Sequence, residues 1–352
     1  MDVRCSYRAL RSVAMYPALV DIYGLLEPDA EAKNEFGPQL STELDKVNIF
    51  HINGDEVEQV LSHVEHRRCP GSYDIVYPAW ELSYYPEVSA KQLDRFDEIW
   101  AQSKFVQESL LTTCKKPVVY MPLATEVILT LFLGRRYFGI SETDYIFLFF
   151  FDLRSYWSRK NPGAVIDAFR RLVAKRPGVN AQLVIKIGSV DLAPERLEQL
   201  LSDVQDLGDK VIFLDQVMTD NEVKNLVRCC DCFISLHRSE GYGRGLAEAM
   251  FLGKPVISTA YSGNMDFMSP DTALFVSYEL IPVEADSYPH WEGQVWADPD
   301  IEQASHHMMQ LVEDPRRGYA LGENASKHIR VEFGYRACGM RYRNRLKEIN
   351  NA

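Results

Sequence analysis

From Tyr145 onward, short apolar runs alternate with segments whose apolar residues recur every three or four positions. Residues 145–151, Tyr-Ile-Phe-Leu-Phe-Phe-Phe, are apolar throughout. That is far shorter than the ~20 residues needed to span a bilayer, and it predicts a parallel strand buried on both faces. Asn161 and Pro162 then offer an N-cap and a first helical residue. Val165, Ala168, Phe169, Leu172 and Val173 share one helical face before Pro177-Gly178 ends it. The pattern repeats with strands over 181–187, 211–214, 232–236 and 255–259. Helices are expected over 194–204, after Thr219 with Glu222 as a capping box, and over 244–252, where Gly253 stops the last one. Repeated strand–helix–strand units imply a parallel sheet with helices on both faces.

The first half follows the same rhythm less regularly. Strands are expected at 47–52, 73–79, 98–101 and 118–121. Helices are expected at 5–23, at 55–63 and, capped by Ser103, at 104–113. The loop 123–140 reads as the boundary between domains, dividing the chain into 1–138, 139–325 and a final helical segment, 326–352, that returns toward the first domain. At 352 residues the chain is long enough for two cores. No solenoid-length repeat or low-complexity segment interrupts it.

Charge and cysteine content narrow the chemistry. The net charge is −12 and the basic residues occur as scattered pairs such as Arg67-Arg68, Lys115-Lys116 and Arg135-Arg136. This argues against nucleic acid as a partner. The seven cysteines lack C-x-x-C spacing, and Cys229, Cys230 and Cys232 have no histidine nearby, so they read as small buried residues of a reducing cytoplasm and not as metal ligands. Residues 1–11 contain no apolar segment of signal-peptide type. The expected location is cytoplasmic, without a transmembrane segment but with room for peripheral membrane contact.

The densest chemistry lies in Ser239-Glu240-Gly241-Tyr242-Gly243-Arg244-Gly245-Leu246-Ala247-Glu248-Ala249-Met250, between a strand and a helix. Three glycines in five residues let backbone approach a ligand closely. The helix starting near Arg244 aims free N–H groups at the same loop, which suits an anion. Glu240 precedes the helix and Glu248 lies about one turn inside it, so two carboxylates can meet different parts of one extended ligand. A plain glycine-rich turn with a solvated helical Glu fits these residues equally well. A second loop shifts the balance. Arg154, Arg159 and Lys160 follow the strand at 147–151 and directly precede a helix, where cations oppose the helix dipole unless an anion is shared. Read alone they also fit a solvent-facing basic loop. Both loops leave the carboxyl ends of strands in one sheet, where open α/β folds bind ligands, and together they suggest a diphosphate.

Two look-alikes carry less. Asp298-Pro299-Asp300 imitates a D-x-D metal motif, but without a flanking strand it reads as the cap of a helix over 301–311. His306-His307 are adjacent, cannot share a helical face, and read as surface residues.

The spacing Glu240-x7-Glu248, the run Gly253-Lys254-Pro255-Val256-Ile257, and Ser158-Arg159-Lys160-Asn161-Pro162 with Ala168-Phe169 downstream resemble motifs of the family-four (group one) retaining glycosyltransferases. The segments Tyr261-Ser262-Gly263-Asn264-Met265-Asp266-Phe267, Val295-Trp296-Ala297-Asp298-Pro299-Asp300, Ala79-Trp80-Glu81-Leu82 and Asp97-Glu98-Ile99-Trp100-Ala101-Gln102-Ser103 are similar to a bacterial subgroup of that family. The resemblance spans roughly residues 47 to 335. It implies an α/β GT-B fold, with two Rossmann-like domains whose parallel sheets face each other across a cleft. It further implies a metal-independent transfer of a sugar, a hexose by expectation, from a nucleoside diphosphate sugar to a saccharide or lipid-linked acceptor, with no cofactor and a role in surface polysaccharide synthesis.

By position, the resemblance gives Lys160 and Arg154 the donor diphosphate, with Arg159 nearby. Gly241, Gly243, Arg244, Gly245 and Leu246 would frame the phosphates and sugar, Glu240 would hold sugar hydroxyls, and Glu248 the ribose hydroxyls. Arg244 replaces an aliphatic residue of many relatives. The family's opening strand and glycine turn have no counterpart before 5–23, and its acceptor-side histidine has no clear match. Glu81 and His51 are the acceptor-side candidates, although His51 reads first as a half-buried structural histidine. The alternative function is a non-catalytic nucleotide-sugar-binding partner subunit, and a nucleotide-sugar epimerase ranks below it.

Overall fold

A computed structural model of the chain describes residues 2–22 and 30–351. They form two compact units, one of residues 1–124 with 333–352 and one of 125–332.

The first unit holds a four-stranded parallel sheet, β1 (Val47–Phe50), β2 (Tyr73–Val76), β3 (Glu98–Ala101) and β4 (Val118–Tyr120), in that spatial order. The strands are shorter than the apolar runs suggest. Asn53 starts a turn after β1, and Pro78, lacking an N–H, cannot extend the ladder after β2. The connecting helices are α3 (Val57–Val64), α4 (Glu87–Leu93) and α5 (Lys104–Leu111), the last capped by the Ser103 hydroxyl, which accepts from the Val106 N–H at 3.1 Å. The helix expected over 5–23 runs only as α1 (Asp2–Ser12). Ala14 takes φ 60°, and Pro17 disfavours helical backbone at Tyr16, so the chain leaves the helix and later bridges Leu19 to Leu40. Tyr23 lies outside the described residues. A further helix, α2 (Ala30–Phe36), precedes β1. The final helix, α13 (Tyr335–Asn351), belongs to this unit and packs on α1 so closely that any side chain at Gly339 would strike the Ala9 carbonyl. Its Tyr342 stacks at 5.3 Å on the fully buried Trp100 and donates to the Pro122 carbonyl at 2.7 Å.

The second unit has a six-stranded parallel sheet in the order β10-β9-β8-β5-β6-β7, where β5 is Tyr145–Asp152, β6 Ala181–Gly188, β7 Val211–Leu214, β8 Cys232–Ser235, β9 Val256–Thr259 and β10 Leu274–Val276. Phe147, Phe149 and Phe151 alternate onto one face of β5. There they meet Val165, Phe169 and Leu172 of α7 (Pro162–Lys175) and Met308 and Leu311 of α11 (Ile301–Glu313). Before α7, Trp157–Lys160 makes a separate single turn, α6. α8 (Pro194–Asp203) joins β6 to β7, and α9 (Asp220–Cys229) opens with the expected Thr219–Glu222 capping box. α10 (Arg244–Phe251) lies against the other face, and α12 (Pro315–Glu332) follows α11. A two-stranded antiparallel hairpin, β11 (Tyr278–Pro282) with β12 (Val295–Pro299), is inserted after β10. The segment 125–138 is tied to this unit by backbone and side chain: the Leu133 N–H donates to the Asn225 side chain at 3.0 Å, and the Arg135 Nε donates to the Cys229 carbonyl at 2.9 Å.

The look-alike motif needs one correction. β12 does run into Asp298-Pro299-Asp300, contrary to the expectation of no flanking strand. The acids are nonetheless engaged separately, Asp298 with Arg238 and Asp300 as the cap that accepts from the Gln303 N–H at 3.0 Å. His306 is exposed, while His307 is half-buried against the Phe275 carbonyl. Cys229, Cys230 and Cys232 are buried, and burial pushes the Cys230 thiol up to about 12. Among the described residues no three His, Cys, Asp or Glu side chains are placed to hold a metal ion, and no helix is long and apolar enough to cross a membrane.

Candidate functional site

The carboxyl ends of β5 and β8 bring together the two loops that the sequence singles out. From the first loop, Lys160 pairs with Glu240, and the Arg159 guanidinium lies 3.3 Å from the other Glu240 oxygen. Arg159 is only 3% exposed, which is unusual for an arginine. It is kept there by donating to the Ser239 carbonyl at 2.8 Å, while its own carbonyl accepts from the Arg238 N–H. Burial alone would raise the Glu240 carboxyl; the Lys160 and Arg159 cations overcome it and hold Glu240 down at about 2. It is therefore ionised at any ordinary pH.

The local backbone adds detail to the expectation. Arg159 and Lys160 do stand directly before α7, as expected, and they also close the single turn α6. Asn161 sits at the N-cap position of α7 in the left-handed region, yet its side chain does not cap. It donates to the Leu236 carbonyl at 3.1 Å and so ties the loop to β8. Arg154 does not join the cluster. It is exposed and forks onto Asp152 at 2.9 and 3.0 Å, a pair that holds Asp152 at about 2 against its partial burial.

The glycine loop is held from below. The Glu240 N–H donates to the Ser262 hydroxyl at 2.8 Å, and the Gly263 N–H donates to the Glu240 carbonyl at 2.9 Å. No side chain fits at Gly263, because a Cβ would collide with the Gly241 carbonyl. Gly243, at φ +92°, precedes α10, whose first N–H groups lack intrahelical partners by construction. Gly245 is small for a different reason from the close ligand approach that its spacing suggests: a Cβ there would lie 2.8 Å from the Phe150 ring. Leu246 is a buried core residue, and Arg244 is half-buried at the start of the helix. Glu248 is 8% exposed, and its carboxyl is raised by burial, with Lys224 and Arg244 pulling only partly against it.

Several residues here escaped the sequence reading. His237 is wholly buried beneath Glu240. Its Nε2 lies 3.1 Å from the Asn264 side-chain oxygen and 3.3 Å from the Tyr261 carbonyl, both acceptors, so the proton belongs on Nε2. Nδ1 then accepts from the Ser235 hydroxyl at 3.0 Å. Burial lowers its pKa, so the ring is neutral. Asn264 in turn donates to the Thr259 carbonyl at 3.0 Å. The signal available was a polar residue, His237, following a fully buried strand. Lys224, 4% exposed and paired with Asp220, was hidden within an ordinary amphipathic helix.

The acceptor-side candidates lie in the first unit. His51 follows β1 and stacks at 5.1 Å on Tyr77, and desolvation lowers its pKa to about 3. Glu81 is half-buried in the loop after β2.

Comparison with known proteins agrees with this geometry. Residues 135–328 match the family model described as Glycosyl transferases group 1. A mannosyltransferase of Corynebacterium glutamicum, described as GDP-mannose-dependent and acting on monoacylated phosphatidylinositol monomannoside, is 28% identical over 196 residues. That match covers 54% of this chain and 44% of the relative, so the chain aligns with less than half of the relative's length. Among solved structures, the fold is similar to sucrose-phosphate synthase of Thermosynechococcus elongatus (TM-score 0.67, 15% identity, 99% of this chain and 92% of that one). It is also similar to a glycosyltransferase of Rickettsia africae (0.67, 14%, 99% and 94%) and to Anabaena HepE in complex with UDP-glucose (0.63, 15%, 84% and 77%). The fold is α/β of the GT-B class, as the sequence motifs imply. With its family match covering more than half of its length, the chain belongs to the group 1 glycosyl transferases.

Proposed function

We propose that the chain is a retaining glycosyltransferase that takes a sugar from a nucleoside diphosphate sugar and gives it to a saccharide or lipid-linked acceptor, without a metal or cofactor. The observation that carries this reading is the half-buried Lys160–Glu240 pair with the buried Arg159 beside the amino end of α10. A carboxylate kept ionised can accept hydrogen bonds from sugar hydroxyls. A lysine on the same carboxylate can turn to a phosphate, and the amino end of α10 adds backbone amides and a favourable dipole for an anion. As the bond between the sugar and the diphosphate breaks, its electrons pass to the leaving phosphate oxygen. Lys160 and the α10 amides stabilise that charge, the role a divalent ion fills in metal-dependent transferases. No second carboxylate faces Glu240 among the described contacts, so no covalent nucleophile is assigned. The acceptor hydroxyl is read as attacking on the face the diphosphate leaves, its proton going to the departing oxygen. Glu248, with its raised carboxyl, is placed on the ribose. Arg154 is left out of the donor site unless its Asp152 pair opens.

A cytoplasmic role in surface polysaccharide synthesis is part of the same proposal, resting on motif resemblance. The test is release of nucleoside diphosphate from UDP-glucose and GDP-mannose by the purified chain in excess EDTA. Release of neither, with tight binding of one, would favour the non-catalytic partner, whereas activity lost in EDTA and restored by manganese would overturn the cation assignment.

A further inference from the structure

The hairpin inserted after β10 has no part in the sheet, and its long connection carries an unusual set of side chains. Residues 283–294 leave β11 and return to β12 with Val283 and Gln294 joined at the base, the Val283 N–H donating to the Gln294 carbonyl at 2.9 Å. Both are buried, so the loop is anchored. Its tip and the donor-side loop together form a bowl of about 400 Å³, within the size range of small-molecule sites. The walls are aromatic: Tyr288 packs on Tyr156 with ring centroids 4.7 Å apart, and Trp291 and Pro289 complete them. The rim carries Asp286 and Glu292, both exposed.

Backbone conformation singles out the same place. Tyr156 (φ 60°), Asp286 (φ 59°) and His290 (φ 55°) all occupy the left-handed region, which side chains other than glycine's adopt at a cost in free energy. Three such residues lining one concavity mark a shape held by its surroundings, and strain of this kind gathers at ligand sites. Tyr156 also links the bowl to the chemistry, since it is the residue at the N-cap position of α6, the turn that ends in Arg159 and Lys160.

We infer that this bowl is a saccharide subsite that seats a sugar unit of the acceptor. Aromatic faces take the C–H faces of pyranose rings, and carboxylates on a rim accept from hydroxyls. The two exposed acids disfavour a phosphate or nucleotide. A metal does not fit, because Asp286, His290 and Glu292 do not converge as ligands. A bowl this small suits a sugar better than a protein surface. The assignment of the sugar to the acceptor rests on the proposed donor site at Lys160 and Glu240.

Saturation-transfer NMR on the full chain, saturated with UDP or GDP to occupy the donor site, tests it. The probes are methyl α-glucoside, methyl α-mannoside and maltotriose. At least one probe should receive saturation from the wild type. Trp291→Ala should cut its affinity by roughly tenfold, the scale of an aromatic contact, and Asp286→Asn with Glu292→Gln should weaken it further. Nucleoside diphosphate affinity should stay unchanged in all variants. Absence of saccharide signal from nucleotide-loaded wild type, or equal signal from wild type and both variants, overturns the subsite while leaving the proposed function intact. Failure of the wild type to bind any nucleoside diphosphate overturns the donor site instead, and the acceptor assignment with it.

Discussion

The two parallel sheets bury their charges at opposite ends. In the second unit, Arg159, Glu240 and His237 lie where β5 and β8 finish, and Glu248 enters from the helix that follows β8. In the first unit, the fully buried acids stand where strands begin. Asp74 is the second residue of β2 and pairs with Arg68; Glu98 opens β3 and accepts from Arg345 of α13 at 3.1 Å, from the Trp100 Nε1 at 2.7 Å and from the Tyr73 hydroxyl at 3.1 Å. Every lone pair that Glu98 offers is spent within the unit, so it serves as a strut tying the last helix to the sheet. The carboxyl end of a parallel sheet is where loops are free to vary and ligands bind, whereas the amino end is closed by packing. A buried charge therefore suggests function in one place and anchoring in the other.

Five changes probe that contrast, beginning with the largest expected effect. Glu240→Ala should lower turnover by at least about a hundredfold, since it removes a charged hydrogen-bonding partner in a desolvated site. Binding of the free nucleoside diphosphate should stay near wild type, because Lys160 remains. Because Glu240 stays ionised down to about pH 2, the acid limb of the rate profile in wild type should not come from it. A matching loss of diphosphate affinity by calorimetry would make Glu240 a brace for the glycine loop and not a sugar contact.

Lys160→Ala should weaken nucleoside diphosphate binding by roughly ten- to a hundredfold, as expected for one charge-assisted bond, and leave nucleoside binding unaltered. Equal effects on both ligands would reduce the cluster to a structural ion pair. Arg345→Ala should cost about 2 kcal/mol in denaturant unfolding, since Glu98 loses its cation but keeps two neutral donors. Its nucleotide affinity should not move, and a change there would break the contrast between the two sheet ends.

Smaller still is the pH effect from Glu248. Its folded pKa is raised, so it contributes stability that is present at low pH and lost as pH rises through the folded value. Ligand binding runs the other way: a ribose diol needs the ionised acceptor. Diphosphate affinity should therefore fall a few-fold as pH drops through that raised pKa, and Glu248→Gln should flatten the curve. A Glu248→Gln titration with unchanged slope would remove Glu248 from the ribose. Last, His51→Ala should leave donor affinity unchanged, its ring being stacked on Tyr77 and neutral well below pH 6.

Much of this was legible along the chain because it depends on local patterns. An eight-residue β5 with three phenylalanines on one face, a Thr219–Glu222 capping box, and Ser103 and Asp300 as caps each follow from neighbours in sequence. The pairing of Glu240 with Glu248 on loop and helix follows from their spacing. Where the structure departs from the expectation, a partner that spacing alone does not assign decides the outcome. Arg154 looked equivalent to Lys160, but Asp152 captures it two residues back, while Lys160 meets a carboxylate eighty positions on. Gly245 looked like a ligand contact until Phe150, distant in sequence, was found against it. His237 carries only the weak signal of a polar residue after a buried strand, because its place as a support depends on Asn264 and Ser235 closing around it.

By itself, then, the sequence determined most of the strand and helix order, the parallel topology, and which two loops concentrate charge and glycine at one sheet edge, since periodicity, caps and glycines act over a few residues. Only the tertiary structure decided which cation reaches Glu240, why Arg159 can be buried, and that Tyr156, Asp286 and Trp291 share one bowl. Those outcomes depend on desolvation and on partners brought together by the sheet, and neither is written into the spacing of residues along a chain.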